Sequence, residues 1–232
     1  MKKIDWNKYR ETFPDRYLEK SKIDAEISES KWALRLSKLT SDYKTIKILD
    51  IGGGKTGTFS YEADFELYLL DPNIDQVPDC YELIDWKDIE GKEFDLIVAR
   101  DSLNYLKPDE LKKIKDHIKS RGIFIGNTFL LPNNINREYK VDGEIKGIEK
   151  STYEKIELVN NYNEDGSIIN YYKPEYKGVI HHELIPNDGD KIEHDFYYYD
   201  IYQFISFFKP NVVDLRIYGE NSVIIKINKK IN

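Results

Sequence analysis

Cysteine is almost missing from this chain. Cys80 stands alone among 232 residues, which excludes an intrachain disulfide and a cysteine metal cluster. Long apolar runs are missing too. None approaches the roughly 18 residues of a membrane-spanning helix, and the opening Met1-Lys2-Lys3-Ile4-Asp5-Trp6 lacks the apolar stretch of a secretory signal. A cytoplasmic protein with no membrane partner is expected. Positive charge is not in excess either: 35 basic against 42 acidic residues leave a net charge of −7. Nucleic-acid binding draws on phosphate neutralisation, so a long polyanion is a poor partner. The densest basic stretch, Lys107 to Lys119, reads as a solvated helix face. Histidines number four, and no cluster has metal-ligand spacing. His181 and His182 are adjacent on an expected strand, so they point to opposite faces and cannot share one ion. No metal is expected.

What is present suits one large domain, or one domain carrying an insertion. Hydrophobic residues make up 40% and charged residues 33%, a balance that can bury a core. Residues 1–44 read as an N-terminal helical arm: Trp6, Tyr9, Phe13 and Tyr17 need something to pack on, and helical spacing runs over 21–43. An alternation of strands and helices then begins. Strands are expected at Ile46–Ile51, Phe65–Leu70, Tyr81–Ile84, Phe94–Ala99 and Gly122–Phe129, a short helix or turn at 57–63, and an amphipathic helix at Pro108–Lys119. Continuous apolar strands separated by helices predict a parallel sheet covered on both faces.

Residues 132–199 lose helical spacing. A hairpin is expected from Ile156–Tyr162 and Ser167–Tyr172, and further strands at Gly178–Ile185 and Ile192–Tyr199. The stretch is too long for a bare loop in a compact domain, so it reads as an antiparallel insertion placed over the sheet. Alternation returns with a helix at Ile201–Phe208 and strands at Val212–Ile217 and Ser222–Ile227. The tight Gly219-Glu220-Asn221 turn makes those two strands antiparallel.

Lys47-Ile48-Leu49-Asp50-Ile51-Gly52-Gly53-Gly54-Lys55-Thr56-Gly57 is the most informative segment. A strand that ends in a glycine turn lets backbone come close to a ligand, because no Cβ intervenes. Nineteen positions beyond Gly52, the next expected strand ends in Asp71, placed to hydrogen-bond two ribose hydroxyls. The pair reads as a cradle for a nucleoside cofactor. Gly52, Gly54 and Gly57 meet the dinucleotide pattern G-x-G-x-x-G only by letter. Asp50 to Thr56 is also similar to a phosphate loop of actin-like ATPases, but the second copy found in that family is not here. A P-loop would need its first glycine where Leu49 stands.

With these features in order, the chain resembles the class I S-adenosylmethionine-dependent methyltransferases over about residues 45–130 and 200–230. Leu49 to Gly54 resembles the family's first glycine motif, Asp71 stands where its ribose-binding acid stands, and Asp85 ends the third strand, where an acid often meets the adenine amino group. Phe94 to Leu106 is similar to the fourth strand and the loop behind the methionine moiety. The terminal helix–strand–turn–strand is similar to the family's antiparallel hairpin. The resemblance implies a seven-stranded Rossmann-like α/β sheet, with residues 45–131 and 200–232 as the cofactor-binding core and 132–199 as a β insertion covering the acceptor site. It implies S-adenosylmethionine as cofactor, held by Asp50, Gly52, Gly53, Gly54, Asp71, Pro72, Asp85, Trp86, Arg100, Asp101 and Ser102. One departure stands out. Thr56 occupies the place of the family's next glycine, and Gly57 follows one position later.

Methyl transfer needs in-line alignment of the acceptor, and a base when that acceptor is a hydroxyl. His117, on the amphipathic helix, reads as a surface residue. His181, His182 and His194 lie in the insertion, and one of them is the candidate base. The bland alternative has one histidine packed in the small sheet and another facing water. The insertion's tyrosines offer flat faces to a sugar or aromatic acceptor, and equally serve as strand core. The expected activity is methylation of a small molecule, a hydroxyl slightly ahead of an amine. The alternatives are a non-catalytic methyltransferase-fold binding or regulatory subunit and a protein or tRNA methyltransferase. Whether the insertion moves as a lid or forms a homodimer surface is open at this point.

Overall fold

The computed structural model describes residues 45–54, 57–59, 64–100, 102–129, 134–141, 143–155, 161–162, 168–169, 178–199, 201–209, 211–218 and 222–229. The expected N-terminal arm and its helix lie outside the described residues. The chain divides into two compact units, one on residues 131–204 and the other on 45–130 with 205–232.

The larger unit is built on β1 (Ile46–Ile51), β2 (Phe65–Leu70), β3 (Tyr81–Leu83), β4 (Phe94–Ala99), β5 (Ile118–Phe129), β12 (Val212–Tyr218) and β13 (Ser222–Asn228). These form one seven-stranded sheet in the order β12-β13-β5-β4-β1-β2-β3. β1 to β5 run parallel to one another. β13 pairs antiparallel with β5 and with β12, as the tight terminal turn requires. The apolar runs of β1, β2 and β4 are buried almost throughout, as befits strands covered on both faces. On one face Ile48, Leu67, Leu96, Val98, Ile125 and Ile224 share a core with Phe59 and Tyr81. On the other, Phe124 stacks on Phe208 of α2 (Ile201–Phe208), their rings 5.8 Å apart.

Helix α1 (Pro108–His117) starts as its residues dictate. Pro108 occupies the first turn, and the Glu110 carboxylate accepts the Lys107 backbone N–H at 2.6 Å. It ends two residues before the expected Lys119. Ile118 is fully buried, turns to extended backbone and pairs with Phe94. β5 is therefore longer than Gly122–Phe129. The pairing shifts between Phe94 and Leu96, and Arg121 adopts a φ of 64°, so the extra residues are absorbed in a bulge. The lysines around this helix have partners within their own unit. Lys112 pairs with Asp116, Lys113 with Glu90 and Lys119 with Asp95, while Lys115 donates to the Phe207 carbonyl. His117 departs from its expected surface role: its side chain is largely covered, and its Nδ1 bonds the Lys92 carbonyl at 2.7 Å.

The smaller unit holds a four-stranded antiparallel sheet, β11-β10-β7-β6. Its strands are β6 (Ile135–Val141), β7 (Glu144–Lys155), β10 (Gly178–Pro186) and β11 (Ile192–Tyr198). β10 and β11 agree with the sequence pattern. The hairpin β6–β7 adds two strands that the pattern missed. Of the expected hairpin farther on, Asn161–Tyr162 (β8) and Ile168–Ile169 (β9) are paired, and the rest lies outside the described residues. Among the described residues, no helix is long and apolar enough to cross a membrane.

Candidate cofactor site

The carboxyl ends of β1, β2, β3 and β4 carry most of the residues expected to bind a nucleoside, as open α/β sheets do. β1 delivers Asp50, which is fully buried, and then a turn in which Gly52, Gly54 and Gly57 have φ of 72°, 66° and 65°. That backbone is the left-handed region where a Cβ is disfavoured. Gly52 is also closely packed: a Cβ there would stand 2.6 Å from Ser102 Cβ. Its own N–H is tied to the Leu70 carbonyl at 2.9 Å.

Asp50 turns inward to organise the turn. Thr58 donates its backbone N–H to Asp50 Oδ2 at 2.6 Å and its hydroxyl to Oδ1 at 3.0 Å. Tyr81, at the start of β3, donates its hydroxyl to Asp50 Oδ2 at 3.3 Å. The same phenol oxygen accepts the N–H of Phe59 at 2.7 Å and of Thr58 at 3.1 Å. Burial pushes the Asp50 carboxyl above its ordinary value, against the pull of the Thr58 bonds and the Arg100 guanidinium. Burial, and then the Asp50 charge, raise the Tyr81 phenol as well, so it remains protonated.

Asp71, half-buried at the end of β2, is bonded directly to the glycine turn: Gly54 donates its N–H to Asp71 Oδ2 at 3.2 Å. Its other oxygen accepts from Asn73 N and Nδ2 at 3.0 and 3.3 Å, which closes a turn through the exposed Pro72. A carboxylate has about four acceptor positions; three are taken here, so one ribose hydroxyl can be received directly and a second by displacing the exposed Asn73 amide. Beyond β3, Asp85 is exposed and pairs with Lys87 at 3.2 Å, and the Trp86 carbonyl accepts from Lys113 at 3.0 Å.

Beyond β4, Arg100 is half-buried and acts electrostatically on Asp50, and Asp101 lies outside the described residues. Ser102 turns its hydroxyl back to the Ile51 carbonyl at 2.6 Å, fastening this loop to the glycine turn. The short 3-10 helix Leu103–Tyr105 follows. Asn104 within it is buried, and its Nδ2 has no hydrogen-bond partner among the described residues. A buried donor of that kind costs free energy until something accepts from it. The functional reading of the sequence passed over Tyr81, Thr58 and Asn104. The glycine displaced to position 57 was the one trace of the first two.

The other expected residues belong to the four-stranded sheet. His181 and His182 do face opposite ways. His181, on the more exposed face, bonds Asp195 at 2.8 Å and Glu154 at 3.0 Å, which together raise its pKa, Glu154 the more. His182 is buried; its Nε2 lies 2.9 Å from Glu149 Oε1, while Glu149 Oε2 accepts from Arg137 at 2.9 Å. His194 is His182's cross-strand partner, and their rings meet edge to face at 4.7 Å. His182 and His194 thus come together, and His181 stands apart from both. Among the described residues no group of three or more His, Cys, Asp or Glu is disposed to hold a metal ion.

The sheet order, with its last strand inserted antiparallel beside β5, is the order of the class I S-adenosylmethionine-dependent methyltransferases, and this chain has that fold. Neither a family model nor a curated protein sequence matches the chain. Among solved structures, the PH0226 protein from Pyrococcus horikoshii OT3 is similar at 16% identity, over 96% of this chain and 99% of that one, with a TM-score of 0.55. The glycopeptide N-methyltransferase MtfA complexed with S-adenosylmethionine matches at 11% identity, over 86% and 93%, with a TM-score of 0.42. The N-methyltransferase NodS from Bradyrhizobium japonicum WM9, in complex with S-adenosylhomocysteine, matches at 10% identity, over 87% and 86%, with a TM-score of 0.43.

Proposed function

We propose that this protein is an S-adenosylmethionine-dependent methyltransferase acting on a small molecule, with a hydroxyl acceptor slightly ahead of an amine. The observation that carries the reading is the bond between the Gly54 N–H and the Asp71 carboxylate. It joins a turn free of side chains to a strand-end acid that keeps one acceptor position open and a second held only by the exposed Asn73 amide, as a ribose requires. The proposed cofactor-binding residues are Asp50, Gly52, Gly53, Gly54, Asp71, Pro72, Asp85, Trp86, Arg100, Asp101 and Ser102. Of these, Asp50 and Ser102 act through the backbone of the turn, since their side chains are engaged there. Asn104 supports the reading with a buried amide donor beside the end of β4. When bound, the cofactor supplies a methyl group on a positively charged sulfur.

Residues 132–199 are proposed to serve acceptor recognition, with one of His181, His182 and His194 as base. His182 Nε2 lies against the Glu149 carboxylate, which also accepts from Arg137. The net charge of −7 and the partnered lysines around α1 favour a small acceptor over a nucleic acid.

Titration calorimetry with S-adenosylhomocysteine tests the reading. Micromolar binding with thermal stabilisation is expected. Absence of both would turn the assignment toward a non-catalytic member of the fold.

A further inference from the structure

We infer that Tyr81, together with Gly57, is a positioning pair that holds the glycine turn in its ligand-receiving shape. The inference rests on the proposed cofactor site and assigns it a residue that the family resemblance did not supply. Tyr81 opens β3, two strands away from β1 in the sheet, yet its side chain reaches the turn that follows β1. There it does two things. Its ring occupies the space above residue 57: a Cβ at that position would stand 2.5 Å from Tyr81 Cε2 and 2.6 Å from Cζ. Its oxygen accepts the N–H groups of Phe59 and Thr58 and donates to Asp50.

This explains the displaced glycine. Position 57 has a φ of 65° and lies against an aromatic ring, so both backbone and packing demand the absence of a side chain there. Residues 50, 57, 58, 59 and 81 form one unit in which each member fixes the next. Tyr81→Phe retains the ring and removes the hydroxyl. Phe59 N–H then loses its acceptor, and Asp50 loses a donor.

The pH dependence follows from the groups that face Asp50. Thr58 donates two hydrogen bonds from the turn, Tyr81 donates one from β3, and the Arg100 guanidinium acts from the end of β4. All four favour the carboxylate over the acid, and burial opposes them. The carboxylate is the form that accepts the Thr58 bonds, so ligand affinity is held at higher pH and lost as pH falls and Asp50 protonates. Removing the Tyr81 hydroxyl leaves burial less opposed and moves that loss to higher pH.

The test uses the full chain and S-adenosylhomocysteine as probe. Affinity is measured by calorimetry across the acid and neutral range for wild type and Tyr81→Phe, beside the melting temperature of each without ligand. For a stranded donor in the turn, affinity at neutral pH should fall about tenfold, and the acid limb of the profile should move upward. Affinity within twofold of wild type, with superimposable profiles, overturns the inference. So does a lowered melting temperature with unchanged binding, which is what a merely structural tyrosine would give. Should Tyr81→Phe fail to fold, Thr58→Val removes a donor from the same carboxylate: an upward shift of its acid limb supports the network, and an unmoved limb overturns it. A wild-type protein that binds no S-adenosylhomocysteine at any pH sinks the cofactor reading itself, an outcome distinct from all of these.

Discussion

Asp71→Ala separates the proposed site from a mere likeness of fold. In the free protein the Asp71 carboxylate accepts one bond from the glycine turn and two from Asn73, all at a half-exposed position. Losing them should cost about 1 kcal/mol of stability, a fall in melting temperature of about 3 °C for a chain of this size. The effect on binding should be far larger. Two ribose hydroxyls, one on the open acceptor position and one displacing the exposed Asn73 amide, are worth about 1.5 kcal/mol each at the low end of the range for charged partners. The low end applies because water still reaches this carboxylate. The sum, about 3 kcal/mol, corresponds to about 150-fold in affinity. Calorimetry with S-adenosylhomocysteine measures that loss, and the analogue lacking the ribose 2′-hydroxyl locates it. Wild type should discriminate between the two ligands, and Asp71→Ala should bind both equally, which is the signature of a direct interaction in a double-mutant cycle. An Asp71→Ala protein within threefold of wild type, or one that still discriminates, would refute the assignment.

Gly52→Ala places a Cβ on a backbone of positive φ and against Ser102. The backbone alone costs about 1–2 kcal/mol, so the melting temperature should fall by about 5 °C or more; an unchanged melt would show that the turn relaxes freely. Glu154→Gln should lower the His181 pKa toward its ordinary value, because Glu154 is the larger of the two carboxylate influences and Asp195 alone would remain. The stabilisation tied to protonated His181 is complete below the unfolded histidine value of about 6.5 and is lost as pH rises through the raised folded value. The variant should therefore lose less stability across that window, and NMR titration of the imidazole would read the shift; an unmoved titration would show the Glu154 contact to be absent in solution.

The elements legible in the sequence were those whose burial leaves a pattern. Ile46–Ile51, Phe65–Leu70 and Phe94–Ala99 are buried on both faces and so read as unbroken apolar runs. The terminal hairpin was legible because its turn is too short for a crossover. The β6–β7 hairpin left almost no trace. Most of Glu144–Lys155 is exposed, Ile145 and Ile148 included, and only Gly147, Glu149 and Ser151 are buried, two of them polar. Polar residues on an inner face erase the alternation by which strands are recognised. The end of α1 was misjudged for a similar reason: Ile118 continues the helical spacing, and only its pairing with Phe94 draws it into the sheet. His117 followed the same logic, since the Lys92 carbonyl that holds it is a tertiary neighbour.

In the candidate site, Gly52, Gly53, Gly54 and Asp71 were legible because backbone approach and a strand-end acid each demand one residue type at one place in the chain. Their connection was not. The 3.2 Å bond from Gly54 to Asp71 exists because parallel pairing sets β1 and β2 in register, Ile51 beside Leu70. Tyr81 and Asn104 are ordinary residues until the fold surrounds them, and so are His182 and His194 until two strands align them. Local chemistry, written in consecutive residues, could be read from the chain itself. Contacts between distant segments are made by strand register and side-chain reach, and only the tertiary structure decides those.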